Sequence, residues 1–311
     1  MSKSIGLAFP GQGSQSPGML PDHFSSLPIF DEVFSQANDI LGIDFKNLIN
    51  EGSAEELSST EITQPLLLTA NYAIWKSLGI KPEEVSLMAG HSLGEYSAYV
   101  AAEALSFEDA LKLVSLRAKY MQQAVPEGEG GIAAILGLNR EQLSSVCDEV
   151  TAKGSLVSMA NLNSDSQIVI SGTKQGVDLA VNLSKERGAK RAVPLAMSVP
   201  SHCKLMTPAS IQLTEELNKI NFSEPKTKVI QNFSVEHSDD PEIIKNNLVS
   251  QLYSPVRWAE IMDLYEQANI SHFYECGPGK VLCGLIKRKF KNTEINSLED
   301  INILNSIKAN D

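Results

Sequence analysis

The sequence predicts an α/β fold, in which a body built on a parallel sheet carries a small inserted ferredoxin-like (βαββαβ) subdomain. Two observations predict the body: an apolar run that ends in a glycine-rich turn at residues 10–13, and a second apolar run that leads through residues 90–94 into a helix. A third predicts the subdomain, because six successive patterns between residues 132 and 196 follow the order of that motif.

The first half of the body is predicted from strand and turn signals. Residues 5–9 (IGLAF) are apolar and are followed by proline and glycine, which is typical of a buried strand that ends in a tight turn. Pro65 precedes the apolar stretch 66–78 and Gly79 follows it, so we predict a helix with proline in its first turn. Residues 85–89 predict a second buried strand, and a helix begins near Glu95.

The subdomain is predicted from residue 128 to residue 197. Strands are expected at 132–138, 156–162, 167–171 and 192–196, and helices at 141–152 and 175–187. Turn-rich segments bound this region on both sides. Residues 1–127 and 198–311 then form the large α/β catalytic domain, with a cleft between the two parts where substrates would bind.

Composition and charge exclude several classes of protein. The net charge of −12 disfavours nucleic acid as a partner. We expect neither a signal peptide nor a membrane span, and therefore a cytoplasmic protein. The four cysteines lack metal-ligand spacing and are expected to be buried apolar residues, so we expect no metal site. The sequence leaves the oligomeric state open, and a monomer is compatible with it.

Two basic clusters stand out from this acidic background, and each is either a solvated face or a docking site for a partner. They consist of Lys185, Arg187, Lys190 and Arg191, and of Lys287, Arg288, Lys289 and Lys291.

A candidate nucleophile lies in residues 90–94 (GHSLG), which match the G-x-S-x-G pattern of a hydrolase-like nucleophile elbow. In such an elbow the sharp turn forces the serine, here Ser92, into a strained conformation that projects its hydroxyl, and the glycines prevent clashes. The pattern alone is weak, and its alternative is an ordinary turn between a strand and a helix. The strand before it and the helix after it favour the elbow.

An oxyanion formed at the attacked carbonyl needs hydrogen-bond donors. The residue after the nucleophile, Leu93, supplies one backbone N–H in an elbow of this kind. The turn after the first strand is expected at the same end of the sheet, and Gln12 within it is the natural second donor. The rival interpretation of this turn, a phosphate-binding loop, lacks the Gly-Lys-Ser/Thr sequence that would follow it.

The base that activates Ser92 is sought among five histidines. His202 follows the exit from the predicted subdomain, so it is either a base facing the cleft or a structural residue. His91 adjoins Ser92 and should point away from it. The other three are expected to be surface or structural residues, with the first in an early polar loop: His23, His237 and His272.

Arg117 is the most informative charged residue. Ser106 and Asp109 resemble a capping box that opens a helix from residue 107 to about residue 123, and Arg117 falls within the apolar stripe of that helix. A buried isolated charge is costly. Arg117 therefore pairs with a protein carboxylate, binds an anionic ligand, or extends its head to solvent.

Six segments together resemble the malonyl-CoA:acyl carrier protein transacylase family, in the same order along nearly the whole chain. They are residues 9–15 (FPGQGSQ), residues 90–95 (GHSLGE), Arg117, residues 199–202 (VPSH), residues 251–258 (QLYSPVRW) and residues 275–279 (ECGPG).

The resemblance implies a two-step exchange in fatty acid or polyketide biosynthesis, with Ser92 as nucleophile and His202 as base. It further implies that Gln12 and Leu93 form the oxyanion hole and that Arg117 binds the malonyl carboxylate. The carbonyl of Gln251 would orient the histidine in place of an aspartate, and Asn161 would lie at the cleft. The substrates would be malonyl-CoA and acyl carrier protein, with no metal or redox cofactor.

Two rival functions differ from this expectation in class. A hydrolase, or an acyltransferase for other acyl groups, would use the same elbow, but for neutral acyl chains it would need an apolar pocket in place of Arg117. An inactive docking module for acyl carrier protein would be free to lose Ser92, His202 or Arg117. Leu93 resembles malonyl-selective relatives rather than methylmalonyl-using ones.

Overall fold

The computed structural model describes residues 4–195 and 199–308, and its strands form two separate sheets. The described strands are β1 Ile5–Phe9, β2 Leu87–Gly90, β3 Gly130–Leu136, β4 Val157–Ser164, β5 Gln167–Thr173, β6 Arg191–Pro194, β7 Val229–Ile230, β8 His272–Glu275 and β9 Glu294–Ser297. Within the described chain, no helix combines the length and the apolar character needed to cross a membrane.

Most of these strands are separated by one or more α-helices. In chain order they are α1 Pro21–Ser26, α2 Pro28–Leu41, α3 Phe45–Glu51, α4 Ala54–Ser58, α5 Thr60–Leu78, α6 Gly94–Ala101, α7 Phe107–Ala124, α8 Arg140–Ala152, α9 Lys174–Glu186, α10 Thr207–Leu217, α11 Pro241–Tyr253, α12 Trp258–Gln267, α13 Val281–Ile286 and α14 Ile301–Lys308.

The larger sheet is parallel and has the order β7-β2-β1-β8-β9. Its strands are covered on both faces, because Leu7 and Phe9 belong to one hydrophobic cluster while Ala8, between them, belongs to another. Such two-sided burial is the reason that parallel strands form near-continuous apolar runs. Strand β1 pairs with β2 so that Phe9 lies opposite Gly90, and the turns that follow the two strands therefore meet at one edge.

The smaller sheet is antiparallel, with the order β4-β5-β3-β6, and α8 and α9 pack against it. These elements share a separate hydrophobic cluster that includes Ile135, Leu143 and Val181. The predicted fold class is confirmed, including the βαββαβ order. The domain limits at residues 128 and 197 stay a prediction, and the second limit lies outside the described residues.

The two sheets are joined by backbone contacts. Val256, just before α12, donates its N–H to the carbonyl of Ala160 and accepts a hydrogen bond from the N–H of Leu162, both at 2.8 Å. Asn161 between them forms an isolated parallel bridge with Val256. Asn161, the β4 residue that was expected at the cleft, is thereby fixed to the large body.

Three local predictions were wrong. Helix α5 begins at Thr60 and contains Pro65 in its interior. Pro65 has no N–H to donate to the carbonyl of Glu61, but Glu61 is exposed. Thr60 and Thr63 are buried and anchor the first turn. Strand β2 begins two residues later than predicted, because the N–H of Val85 is bonded within a 3₁₀ turn. His23, expected in a polar loop, is buried in α1 and bonds the Leu298 carbonyl at 2.9 Å.

Candidate active site

The turn between β2 and α6 holds Ser92 in a left-handed conformation with φ of 54°. Its two glycines leave no room for side chains. A Cβ on Gly90 would lie 1.8 Å from the carbonyl carbon of Gly94, and a Cβ on Gly94 would lie 2.0 Å from the carbonyl oxygen of Phe9. The chain can therefore turn sharply enough to present Ser92 only with glycine at both positions.

His202 lies beside the nucleophile, with its Nε2 2.8 Å from the Ser92 Oγ. Its Nδ1 lies 2.8 Å from the backbone carbonyl oxygen of Gln251. Because a carbonyl only accepts, Nδ1 carries the proton, and Nε2 is left with a lone pair for the serine hydroxyl. His202 is itself left-handed, with φ of 61°, and its N–H donates to the Leu252 carbonyl at 2.9 Å.

The protonation state of His202 suits a base. Burial, helped by the nearby charge of Arg117, lowers the pKa of His202 to about 3. At neutral pH the ring is therefore uncharged and can accept a proton from Ser92.

Arg117 is buried on the inner face of α7 and reaches the nucleophile. One terminal nitrogen, Nη2, donates to the Ser92 Oγ at 3.2 Å and to the Gln251 Oε1 at 3.0 Å, and the other, Nη1, donates to the Gln64 Oε1 at 2.5 Å. Its guanidinium also lies 5.4 Å from the centre of the Tyr96 ring. Among the residues that the structure describes, no carboxylate forms an ion pair with it, and burial lowers its pKa.

The two predicted oxyanion donors lie at the same cavity. A cavity of about 410 Å³ is lined by both Gln12 and Leu93, together with Ser92 and Arg117. The side-chain amide of Gln12 donates to the Ser58 carbonyl and the Thr60 hydroxyl on the other side of the loop, at 3.4 and 3.3 Å. The side-chain NH₂ of Gln12 is therefore engaged elsewhere, which leaves its backbone N–H as the candidate oxyanion donor.

The small sheet also contributes residues to the lining of the cavity. Asn161 of β4 lines it, and its Oδ1 is buried with no hydrogen-bond partner among the described residues. The neighbouring Asn163 accepts from His91 Nε2 at 2.9 Å, so the His91 ring is held by the small sheet and not by Ser92. In the described part of the chain, no group of three or more His, Cys, Asp or Glu side chains is arranged to hold a metal ion.

The remaining histidines and the cysteines do not line this cavity. His237 is exposed, and His272 of β8 lies 3.4 Å from a carboxylate oxygen of Glu294. All four cysteines are buried and free, as predicted from their spacing.

Three residues at the site were missed from the sequence. Asn232 follows β7 and accepts the backbone N–H of Ser92 at 2.7 Å; its position after a short apolar run was the only local signal. Gln64 precedes Pro65 at the predicted helix start and accepts a hydrogen bond from Arg117, a contact that no local pattern indicated. Glu95, the residue after the elbow, is buried and accepts from Asn232 and Gln251.

The turn that holds Ser92, the adjacent His202 and the cavity lined by Gln12 and Leu93 suit a serine acyltransferase or a related hydrolase, and sequence comparison separates the two. The chain belongs to the acyl transferase domain family, whose model matches residues 7–308. It is therefore an acyltransferase.

Its relatives carry more specific names. The chain is 48% identical to the malonyl CoA-acyl carrier protein transacylase of Haemophilus influenzae and 46% identical to that of Bacillus subtilis, covering 98% and 97% of this chain and 98% and 96% of theirs. The transacylase structure from Coxiella burnetii is 45% identical, with a TM-score of 0.95 over 99% of this chain and 98% of that one. A malonyl-transacylase solved in complex with a type II PKS acyl-carrier protein is 44% identical, with a TM-score of 0.95 over 99% and 100%.

The steric argument for the elbow can be tested with Gly90→Ala. The added methyl group would overlap the backbone of Gly94, so we expect at least about tenfold slower labelling of Ser92 by a fluorophosphonate, because small misplacements of a nucleophile are costly. Gly284→Ala is the matched control: this exposed glycine of α13 has open space around it, and the change should leave labelling unaltered. Equal labelling rates in the two variants would contradict the steric requirement.

Proposed function

We propose that the enzyme transfers a malonyl group from coenzyme A to the pantetheine thiol of acyl carrier protein through a malonyl ester on Ser92. The observation that carries the proposal is the buried Arg117 guanidinium, whose hydrogen-bond acceptors among the described residues are the Ser92 hydroxyl and the neutral amides of Gln64 and Gln251. A malonyl thioester would bring the carboxylate that this cation lacks. The names of the relatives support the same substrates.

In the first half-reaction the Ser92 Oγ attacks the thioester carbonyl while His202 accepts the hydroxyl proton. The new C–O bond gives a tetrahedral intermediate, and the C–S bond to coenzyme A then breaks. His202 returns its proton to the departing thiolate. The short contact of Ser92 Oγ with Nε2, and the Gln251 carbonyl that fixes the tautomer, support these roles.

In the second half-reaction the pantetheine thiol gives its proton to His202 and attacks the serine ester. A C–S bond forms, the C–O bond breaks, and the proton returns to the Ser92 Oγ. The exchange converts one thioester into another through groups of the protein alone. The backbone N–H groups of Leu93 and Gln12 would stabilise the oxyanion in both steps.

Arg117 would orient the malonyl group by two parallel hydrogen bonds to its carboxylate, which match the planar guanidinium. Its present acceptors, Gln64 and Gln251, are neutral and give up less electrostatic energy than an ion pair would when a carboxylate arrives. Asn161, with its buried unpartnered oxygen, would border the acyl or pantetheine chain on the small-sheet side.

The carrier protein would dock where the basic clusters border the cavity. Helix α13 lines the cavity with Val281, Leu282 and Leu285 and leads directly into the cluster at residues 287–291. In that cluster Arg288 donates to Gln167, which also lines the cavity. The other cluster reaches the same cavity through β6, which begins at Arg191 and is followed by the lining residue Leu195. Positive charge at this rim would attract an acidic carrier despite the overall charge of −12.

The covalent intermediate can be measured directly. Malonyl-CoA alone should leave a malonyl ester on Ser92, detected as an added mass on the intact protein, because the acyl group is stored before the second thiol arrives. Ser92→Ala should remove the adduct, and His202→Ala should slow its formation by about 10²–10⁴-fold, the usual contribution of a general base. An adduct that persists in Ser92→Ala would assign the nucleophile elsewhere.

The role of Arg117 predicts a change in substrate selectivity. Arg117→Ala should lower the malonyl-to-acetyl ratio of kcat/KM at least about tenfold, because charge-assisted hydrogen bonds contribute about 1.5–3 kcal/mol and acetyl has no carboxylate to lose. Arg117→Lys should recover only part of the ratio. Lys119→Ala, an exposed position on the same helix, is the control. A variant with a lower melting temperature and an equal loss of kcat/KM for both substrates would indicate a structural role for Arg117.

The docking surface is tested by charge reversal within each cluster. Reversal should raise the KM for acyl carrier protein while self-malonylation by malonyl-CoA stays unchanged, because only the second half-reaction needs the carrier. The variants reverse Lys287, Arg288 and Lys289 in one protein and Lys185, Lys190 and Arg191 in another, and a control with the same net charge reverses Lys76, Lys219 and Lys226. If neither cluster variant differs from the control, the docking surface lies elsewhere.

A further inference from the structure

Glu95 is a buried carboxylate to which the proposed reaction gives no chemical step. It lies in the first turn of α6, three residues after Ser92, and is fully buried. Its Oε2 accepts two hydrogen bonds, from the backbone N–H of Asn232 at 2.9 Å and from the side-chain amide of Gln251 at 2.8 Å. Burying a carboxylate is costly, so these contacts call for an explanation.

The two residues that Glu95 holds are the ones that hold the nucleophile. Asn232 accepts the backbone N–H of Ser92 through its Oδ1 at 2.7 Å, and it donates through its Nδ2 to the Gly90 carbonyl at 2.7 Å. Gln251 donates from its amide to the backbone carbonyl of Ser92 at 3.0 Å. Both polar groups of the Ser92 backbone are thus bound by side chains that Glu95 fixes.

This arrangement matters because Ser92 is left-handed, with φ of 54°. A non-glycine residue in that region is strained and stays there only when its surroundings hold it. Gln251 comes from α11 and Asn232 from the segment after β7, so neither is fixed by the elbow itself. Glu95 is the common acceptor that ties these two distant segments to the first turn of α6.

We propose that Glu95 is a positioning residue that fixes the Ser92 backbone through Asn232 and Gln251, and that it does so by accepting hydrogen bonds rather than by its charge. The inference rests on the proposed role of Ser92 as nucleophile. Glu95 itself touches neither the hydroxyl of Ser92 nor, by this account, the substrate.

The carboxyl group of Glu95 can accept its two hydrogen bonds whether or not it carries a charge. Burial raises the pKa of Glu95 to about 7, against the opposing effects of the two accepted hydrogen bonds and of the Arg117 charge. A carboxyl group that gains a proton on its other oxygen, Oε1, still accepts at Oε2. Oε1 has no hydrogen-bond partner, so the neutral form disrupts no contact.

Three substitutions at Glu95 separate position from charge. Glu95→Gln keeps an acceptor oxygen at the same distance and removes the charge. Glu95→Asp keeps the charge and withdraws the acceptor by one methylene. Glu95→Ala removes both. The readouts are the acylation rate of Ser92 with malonyl-CoA and with acetyl-CoA, the labelling rate with a fluorophosphonate, the KM for malonyl-CoA and the melting temperature.

We expect the acylation rate to fall by no more than about threefold in Glu95→Gln, by at least about tenfold in Glu95→Asp and by about 10²-fold in Glu95→Ala, since a displacement near 1 Å has effects of this size. The malonyl and acetyl rates should fall by the same factor, and fluorophosphonate labelling should follow them. The KM for malonyl-CoA should change little. Asn232→Ala should give the same pattern, and combining it with Glu95→Ala should add little further loss, because both act on one backbone segment.

Several results would overturn the inference. A faster Glu95→Asp than Glu95→Gln would make Glu95 a counter-charge for Arg117, and a loss confined to malonyl would assign it to carboxylate binding. A folded Glu95→Ala that reacts normally would leave it without a role in the reaction. If Glu95→Ala fails to fold, the order of the Asp and Gln variants decides. An absent Ser92 adduct in the unsubstituted enzyme would instead contradict the proposed function, so the two failures are distinguishable.

Discussion

The buried guanidinium of Arg117 constrains the rest of the active site. A cation in the interior is costly unless its donors are bonded. The terminal nitrogens of Arg117 donate to the neutral amide oxygens of Gln64 and Gln251, which do not neutralise its charge, and its Nε–H has no hydrogen-bond partner among the described residues. The positive charge of Arg117 also lowers the pKa of His202, although burial has the larger effect. Both effects keep the imidazole uncharged at neutral pH. Residues that lie far apart in the sequence thus form one electrostatic arrangement around Arg117.

A second constraint is backbone strain. Ser92 and His202 are both left-handed non-glycine residues, and each costs about 1–3 kcal/mol in that conformation. The hydrogen bonds that offset this strain come from distant segments: Asn232 binds the N–H of Ser92, and Leu252 accepts the N–H of His202. Gln251 links the two constraints, because its carbonyl holds His202 while its side chain contacts Ser92 and Arg117. The nucleophile, the base and the cation are therefore positioned together.

The sequence predicted what depends on local patterns. The burial of Arg117 on α7 followed from helical periodicity, and the strained serine from the glycines around it. The start of α5 was missed because the burial of Thr60 and Thr63 outweighs the helix-breaking tendency of Pro65. The part played by Asn232 could not be predicted, since it lies 140 residues from Ser92 and only the fold brings them together. For His202, too, contact with a serine 110 residues away depends on tertiary structure.

In the proposed reaction, the cation of Arg117 binds the carboxylate of a malonyl group held on Ser92. A crystal structure of the malonylated enzyme, trapped before a thiol acceptor is added, tests this most directly. Both carboxylate oxygens should then lie about 2.7–2.9 Å from the guanidinium, the distance of charge-assisted hydrogen bonds. A malonyl ester whose carboxylate points to solvent, with Arg117 still bound to Gln64 and Gln251 alone, would contradict it.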